Sequence, residues 1–231
     1  MKNLGGIGVV IATRLSSSRL PGKALKEIQN IPMIVFLIRR LLNAKYVDEI
    51  ILATSTKSED KQLVELAASE GIKSFCGSLN DVVERYVKAA EKFELDTIIR
   101  VTGDCPFVDG VLVDYCLNKV NTEDFDICTT KGLFPVGLDV EIIKIKSLKA
   151  LHKSEKLSAE DREHLTLYYY NNASDFKIVN INPPVSWRIK DMKYTVDTLD
   201  DYIMANNLAN NFSSPYFSID DLILAGKSCK N

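Results

Sequence analysis

The first hundred residues contain several mainly apolar runs, and the segments between them are long enough to form helices. Ile7 to Thr13 is a continuous run rich in β-branched residues, and Glu49 to Thr54 and Asp96 to Thr102 are similar. Lys73 to Cys76 is a shorter predicted strand. A continuous apolar run such as Ile7 to Thr13 is typical of a strand buried on both faces of a parallel sheet. The pattern therefore predicts four strands.

Segments with helical periodicity lie between these runs. Ser58 is placed to cap one of them, with acidic residues in its first turn, and Gly71 to end it. Asp109 is placed to cap the last segment. The predicted helices are Met33 to Ala44, the segment between Ser58 and Gly71, Asp81 to Phe93 and Val111 to Val120. Strands alternating with helices indicate an α/β fold with a mostly parallel central sheet flanked by helices.

The second half of the chain is less regular. It has no repeat, low-complexity tract or linker, so we expect one domain covering residues 1–231. The expected strands are Val136 to Ile145, Lys177 to Asn182 and Lys193 to Val196, and the expected helices Lys146 to Lys153, Glu160 to Asn171 and Thr198 to Asn211.

Composition narrows the classes of function. Lys and Arg number 29 against 31 Asp and Glu, a formal net charge of -2, which does not suit a nucleic-acid-binding protein but allows small anionic ligands. The five cysteines, an odd number without C-x-x-C spacing, indicate reduced thiols rather than a zinc site or disulfides. No apolar stretch is long enough to span a bilayer, and we expect a cytoplasmic protein without a membrane partner.

The loop from Arg14 to Lys23 follows the first predicted strand and combines three cations, three consecutive serines and a Pro-Gly turn. Small residues let backbone N–H groups approach an anion, arginine offers a bidentate fork to phosphate oxygens, and lysine offers a point charge. The loop is neither a Walker loop nor G-x-G-x-x-G. It can be a solvated basic loop, but its place at a strand's carboxyl end favours phosphate binding.

Two aspartates follow other predicted strands. Asp104 lies in Gly103-Asp104-Cys105-Pro106, and Asp197 lies in Thr195-Val196-Asp197-Thr198. Carboxylate oxygens suit Mg²⁺ that bridges nucleotide phosphates, so the two together can form a metal site. Either can instead serve only its loop or helix, since Asp197 or Thr198 fits an N-cap position. Sequence alone does not decide whether the two aspartates meet.

These motifs, in their order along the chain, resemble the spore-coat polysaccharide (SpsF-type) cytidylyltransferases, relatives of the CMP-Kdo and CMP-acylneuraminate synthetases. The resemblance rests on IATRLSSSRLPGK, EIILATS, Gly77-Ser78-Leu79-Asn80-Asp81-Val82, IRVTGDCPFVD and YTVDT, and covers about residues 7–205. It implies a GT-A-like fold and transfer of CMP from CTP with Mg²⁺. It also implies a homodimer.

The resemblance assigns expected roles. Arg14 and Lys23 match triphosphate-binding cations, and Asp104 and Asp197 match metal ligands; these four are the expected catalytic residues. The expected nucleotide contacts are Arg14, Ser18, Arg19, Lys23, Ser78 and Arg100. For an anionic or sugar-type acceptor, we expect contacts from Asp139 and Glu141, which would share a strand face, and from Arg162 and His164. A lone helical histidine is also often structural.

Two other functions compete with cytidylyl transfer. A GT-A glycosyltransferase would share the fold and a metal-bound nucleotide, but it usually has a D-x-D-type motif, whereas Cys105 and Pro106 follow Asp104. A non-catalytic nucleotide-binding module would be favoured by loss of Arg14, Lys23 or either aspartate, and all are present. The acceptor is left open.

Overall fold

The computed structural model describes residues 4–120, 124–189 and 192–228. Strands in these ranges are listed here in chain order. They are β1 Ile7–Ala12, β2 Glu27–Ile28, β3 Ile31–Pro32, β4 Glu49–Ser55, β5 Lys73–Gly77, β6 Thr97–Thr102, β7 Ile127–Thr129, β8 Glu141–Lys144 and β9 Ile178–Asn180.

The α-helices alternate with strands in the first half and cluster in the second. They are α1 Met33–Leu41, α2 Lys61–Ser69, α3 Val82–Lys92, α4 Gly110–Lys119, α5 Ile145–Lys153, α6 Ala159–Glu163, α7 Leu167–Asn171, α8 Leu199–Ala209 and α9 Ile219–Ser228. None of the helices in the described ranges is both long enough and apolar enough to cross a membrane.

A seven-stranded sheet, in the order β5-β4-β1-β6-β8-β7-β9, forms the centre of the protein. β1 is parallel to both neighbours, with Val10 opposite Ile51 on one side and Arg100 on the other. β8 runs antiparallel to β6 and β7. The predicted α/β class with a mostly parallel sheet is confirmed. The carboxyl ends of β5, β4, β1 and β6 therefore lie along one edge.

Apolar side chains on the two faces of this sheet pack into two clusters. Val9 and Ile11 belong to one cluster, together with residues of α1 and α4, while Val10 belongs to the other with residues of α3 and α5. The side chains of Val9, Val10 and Ile11 are all fully buried. Burial on both faces explains why the strand is a continuous apolar run rather than an alternating one.

Several local predictions for the first half are confirmed. Asp109 caps α4, because its carboxylate accepts a hydrogen bond from the backbone N–H of Leu112 at 2.8 Å. Gly71 follows α2 with φ of 75°. The predicted cap at Ser58 is wrong, because Ser58–Asp60 forms a 3₁₀ turn before α2 and its side chain makes no capping bond.

The second half departs from its predictions in three places. Residues 160–171 form two helices, because the backbone leaves helical geometry at His164, with ψ of 73°. Of the strand predicted over 136–145, only β8 exists. The strand predicted over 193–196 is absent, and Lys193 makes only an isolated bridge to Val136. In these segments, contacts between distant parts of the chain take the place of regular strand hydrogen bonds.

Three elements lack a clear local signal and were not predicted: the β2–β3 hairpin, β7 and α9. The hairpin turns at Gln29 and Asn30, which both have positive φ, and neither is the glycine that usually marks such a turn. β7 has only three residues. Among the cysteines, Cys76 is exposed and Cys105, Cys116 and Cys128 are buried, all as free thiols. Cys229 lies outside the described residues.

Candidate active site

A cavity of about 330 Å³ opens at the carboxyl ends of β1 and β6, beside the start of α3. Open α/β sheets generally bind their ligands at this edge. Seven of the side chains predicted for the site line it, namely Arg14, Ser18, Arg19, Lys23, Arg100, Asp104 and His164. The loop after β1 and the turn after β6 therefore form one concave surface, although Lys23 and Asp104 are 81 positions apart in the sequence.

The loop after β1 is folded back on itself by backbone hydrogen bonds. The carbonyl oxygen of Leu15 accepts from the N–H groups of Ser17 at 2.8 Å and Gly22 at 3.0 Å. Gly22 has φ of 68°, which permits the chain to enter the short 3₁₀ turn that begins at Lys23. This geometry directs Lys23 back toward the sheet edge.

Asp60 anchors the same loop and was missed by the sequence analysis. Its carboxylate is buried and accepts from the backbone N–H of Leu15 at 2.8 Å and of Ser55 at 3.3 Å. The side-chain hydroxyl of Ser55 also donates to it. Asp60 thus ties the end of β4 to the loop after β1. In sequence it reads as one more acid at a helix start, so no pattern distinguishes it.

Lys23, Asp104 and Asp197 form the charged centre of the site. The Lys23 ammonium lies 2.8 Å from Oδ2 of Asp104 and 3.4 Å from Oδ1 of Asp197, and it donates to the carbonyl oxygen of Val196 at 2.8 Å. Burial by itself would raise the pKa of Asp104, but the neighbouring Lys23 outweighs it, and the pKa is lowered. Asp104 is therefore ionised at neutral pH in this arrangement.

Backbone contacts bring Asp104 and Asp197 together. The carbonyl oxygen of Asp104 accepts from the N–H of Val196 at 2.8 Å and from the hydroxyl of Thr195 at 3.2 Å. At Gly103, a Cβ would lie 2.6 Å from Cβ of Thr13, so only glycine permits the turn after β6 to pack this closely against the end of β1.

The capping alternative for Asp197 is excluded by the start of α8. Thr198 is the N-cap and forms a capping box with Asp201. The carboxylate of Asp197 instead faces the cations of the loop after β1, with Arg19 at 2.8 Å. Asp197 therefore belongs to the charged centre and not to the helix.

The charged centre has the chemistry that Mg²⁺ requires. Two hard carboxylates, from Asp104 and Asp197, converge on one cation, the ammonium of Lys23. In the described part of the chain, no cluster of three or more His, Cys, Asp or Glu side chains is placed to hold a metal ion. Two protein carboxylates completed by water and phosphate oxygens are nevertheless the usual surroundings of Mg²⁺ in nucleotide-binding enzymes.

Arg14 spans the cavity from the loop after β1 to α6. It donates to the carbonyl oxygen of Leu79 at 3.2 Å and forms an ion pair with Glu163 at 2.8 Å. Each predicted phosphate-binding cation thus faces an acidic side chain: Arg14 faces Glu163, Arg19 faces Asp197, and Lys23 faces both aspartates. These three cations are therefore each matched by an acid of the protein.

Glu141 occupies a different place from the predicted one. It is 1% exposed and its carboxylate bonds Arg100 at 2.7 Å, together with the hydroxyls of Thr166 at 3.3 Å and Tyr170. Asp139 precedes β8 and accepts from the N–H of Gly137 at 3.0 Å. The shared strand face expected for Asp139 and Glu141 is therefore wrong. Glu141 lies behind Arg100, and Arg100 is the member of this network that lines the cavity.

The pKa values of this network follow from its enclosure. Burial would lower the pKa of Arg100, but the carboxylate of Glu141 outweighs it and raises the value. Burial, reinforced by the charge of Glu141, raises the pKa of Tyr170. Arg100 stays a cation and Tyr170 stays a neutral hydrogen-bond donor.

Of Ser78, Arg162 and His164, which were also predicted for the site, only His164 lines the cavity. The hydroxyl of Ser78 accepts from the N–H of Asp81 at 3.0 Å. Arg162 donates to Asp81 at 2.6 Å, which links α6 to α3, and it does not line the cavity. His164 lines the cavity and is exposed. A further cavity residue, Arg85, was not predicted, because in sequence it is one charged position in an amphipathic helix.

A GT-A-like sheet with cations after its first strand and two aspartates at the same edge defines a nucleotidyltransferase-type protein. Residues 8–223 match the family model described as Cytidylyltransferase, and the chain belongs to that family.

Individual relatives agree with this membership. A Methanocaldococcus jannaschii protein, MJ1063, is 33% identical over 88% of this chain and 83% of its own length. The spore coat polysaccharide biosynthesis protein SpsF of Bacillus subtilis is 29% identical over 84% of this chain and 82% of its own. A solved cytidylyltransferase from Leptospira borgpetersenii has a TM-score of 0.91 and 29% identity, covering 97% of this chain and 94% of that one.

Proposed function

We propose that this cytidylyltransferase transfers CMP from CTP to an oxygen of an anionic or sugar-type acceptor in surface-polysaccharide synthesis and releases pyrophosphate. The observation that carries the proposal is the charged centre. Lys23 and Asp104 line the cavity with Arg14 and Arg19, and Asp197 lies beside the cavity in contact with Arg19 and Lys23. Family membership supplies CTP as the nucleotide. Similarity to SpsF supports the acceptor class.

The reaction breaks one bond and forms one at the α-phosphorus. An acceptor oxygen attacks this phosphorus, the bond to the β-phosphoryl oxygen breaks, and pyrophosphate leaves with the electron pair. A carboxylate or phosphate acceptor needs no base, whereas a hydroxyl must give up its proton, and the carboxylate of Asp197 is our candidate to assist that transfer. Arg14, Arg19 and Lys23 would neutralise the phosphate charge during this step.

Asp104 and Asp197 would hold Mg²⁺, which neutralises charge on the nucleotide phosphates when bound. The ammonium of Lys23 lies within ion-pair distance of both carboxylates, so it would help to hold the nucleotide phosphates beside them. Arg14, Arg19 and Lys23 would exchange their present ion pairs for phosphate oxygens of the nucleotide.

The acceptor would lie on the β6–β8 side of the cavity. Arg100 and His164 are the side chains available there for an anionic or hydroxyl-rich molecule. Glu141 would act indirectly, by fixing Arg100. The predicted homodimer and the cytoplasmic location stay predictions.

A pyrophosphate-release screen tests the proposal. Each of the four common nucleoside triphosphates is combined with Mg²⁺ and a panel of sugar acids, sugar phosphates and neutral sugars, and each is also assayed without acceptor. We expect release only where CTP and an acceptor are both present. Equal release from every triphosphate, or release that needs a nucleotide-sugar, would reject the proposal and favour a different transferase.

A further inference from the structure

Arg85 has surroundings unlike those of the other cavity arginines. It lies on α3, only 2% of the residue is exposed, and it lines the cavity. Its aliphatic stem packs over Gly77, where an added Cβ would lie 3.2 Å from Cγ of Arg85. The stem is thus part of the core, while the guanidinium reaches the site.

The guanidinium of Arg85 is incompletely bonded. Within the described residues, its hydrogen bonding is limited to one bond, from Nη1 to the carbonyl oxygen of Ser78 at 3.0 Å, and Nε is buried without a partner. No carboxylate of the described residues lies within ion-pair distance of it, whereas Arg14, Arg19 and Arg100 each have one. A guanidinium has five N–H donors, and leaving buried donors unmet is costly.

The lack of an acidic partner has an electrostatic consequence. Burial lowers the pKa of Arg85 from its ordinary value, and the nearby positive charge of Arg14 adds to this, while Asp60 and Asp81 oppose the shift without reversing it. The group stays protonated at neutral pH. A buried guanidinium that lines a cavity, with no carboxylate of the described residues at ion-pair distance, indicates that a ligand supplies acceptor atoms there.

The position of Arg85 indicates which part of the nucleotide it would contact. Its anchor, Ser78, follows β5, while Asp104 follows β6, and these strands are three places apart in the sheet. Three strand spacings amount to about 14 Å. Since the proposed function puts the metal and the phosphates at the β1–β6 end, the β5 end would be left for the base. Val82, beside Arg85, gives this end an apolar wall suited to a planar ring.

We infer that Arg85 determines the choice of base by donating hydrogen bonds to O2 and N3 of cytosine, an inference that rests on the proposed function. Both atoms are acceptors, and a guanidinium has only donors. In uracil, N3 carries a hydrogen, so a donor aimed at it meets another donor. A site built around a polar contact discriminates strongly against a ligand that leaves the contact unmade.

The test compares nucleotide binding by the wild type, Arg85→Met and Arg85→Lys. Methionine keeps the stem that packs over Gly77 and removes every donor, whereas lysine keeps the charge but not the planar fork. Dissociation constants for CTP, UTP and CMP are measured by calorimetry with Mg²⁺, and urea unfolding is measured for each variant. We expect Arg85→Met to weaken CTP binding about tenfold or more.

Two further results belong to the expected outcome. CMP binding should weaken by the same factor as CTP binding, and the preference for CTP over UTP should shrink in both variants. A loss confined to CTP, with CMP binding unchanged, would overturn the inference by placing Arg85 on the β- and γ-phosphates. An unchanged CTP-to-UTP ratio in a folded variant would overturn it as well. Failure of the wild type to bind CTP would instead reject the proposed function.

Discussion

At the scale of single residues, the account depends on the shared role of Asp104 and Asp197. Asp→Asn keeps size and most hydrogen bonding while removing one charge. We expect either substitution to lower turnover about 10²-fold or more, by loss of one electrostatic contact in the transition state. The double variant should be little worse than either single variant, because residues that act as a unit are non-additive. Turnover is measured by pyrophosphate release at saturating Mg²⁺.

Asp200→Asn is the matched control for these variants. Asp200 lies three positions from Asp197, is exposed, and is outside the cavity lining. It should leave turnover unchanged. Near-normal turnover in Asp197→Asn would reject the shared metal site and leave Asp104 alone.

Glu163 is expected to compete with the nucleotide for Arg14. The ion pair joins side chains that are 32% and 51% exposed, so it contributes little to stability. Glu163→Gln should release Arg14 and remove a like charge from the path of the triphosphate. CTP should bind about two- to fivefold tighter, measured by calorimetry. Glu160→Gln, an exposed acid on the same helix, is the control. Weaker CTP binding by Glu163→Gln would show that Glu163 supports the nucleotide instead.

Glu141 allows a test of whether it acts by fixing Arg100 or by contacting the acceptor. Its side chain is 2% exposed and that of Arg100 is 26% exposed. Removing one charge of such a pair leaves the other poorly compensated, so Glu141→Gln should lower the free energy of unfolding by on the order of 3 kcal/mol. Urea unfolding measures this change. If stability is unchanged while KM for the acceptor rises, Glu141 contacts the acceptor directly, as its sequence position first suggested.

At the scale of elements, the start of α8 controls where Asp197 sits. The carboxylate of Asp201 accepts from the backbone N–H groups of Asp197 at 3.0 Å and Thr198 at 2.9 Å, and from Lys193 at 2.8 Å. Burial opposes ionisation of Asp201, but these bonds outweigh it and lower its pKa to about 2. The segment that carries Asp197 is therefore fixed by a carboxylate that must stay ionised.

This cap makes a prediction about acid stability. A carboxyl group with a lower pKa in the folded state binds fewer protons when folded than when unfolded. Its contribution is complete above the ordinary aspartate value of about 4 and is lost as pH falls toward 2. Urea unfolding from pH 6 to pH 2 should show a shallower fall for Asp201→Asn than for the wild type. Parallel curves would contradict the role of this cap.

The sequence predicted the elements of the first half well, because long buried strands leave a strong local pattern. β1, β4 and β6 differ from their predicted bounds by one residue at most. The segment around Asp197 could not be predicted. Its conformation is set by Tyr194 donating to Val136 and by Val196 donating to Asp104, which are contacts between distant parts of the chain.

The candidate site was likewise predicted only in part from the sequence. Motifs singled out the loop after β1 and the two aspartates, because each of them directly follows a predicted strand. Asp60 and Arg85 were missed, because acids at helix starts and arginines on amphipathic helices are common without function. Their roles depend on burial and on partners, which only the folded chain provides.

At the scale of the whole molecule, the proposed function divides the cavity between two ligands. The loop after β1 and the start of α3 contribute cations and Val82 to the lining and would hold the nucleotide. Arg100 on β6 and His164 between α6 and α7 would meet the acceptor. The charged centre would then lie close to both ligands, as transfer at the α-phosphorus requires.

The fate of the phosphorus atoms of CTP tests this central claim most directly. CTP labelled at the α-phosphorus, and separately at the γ-phosphorus, is incubated with the protein, Mg²⁺ and the acceptor that gives the fastest pyrophosphate release. The account predicts that the α label joins the acceptor and that the γ label leaves in pyrophosphate. A γ label on the acceptor, or an α label found only in free CMP or CDP, would contradict it.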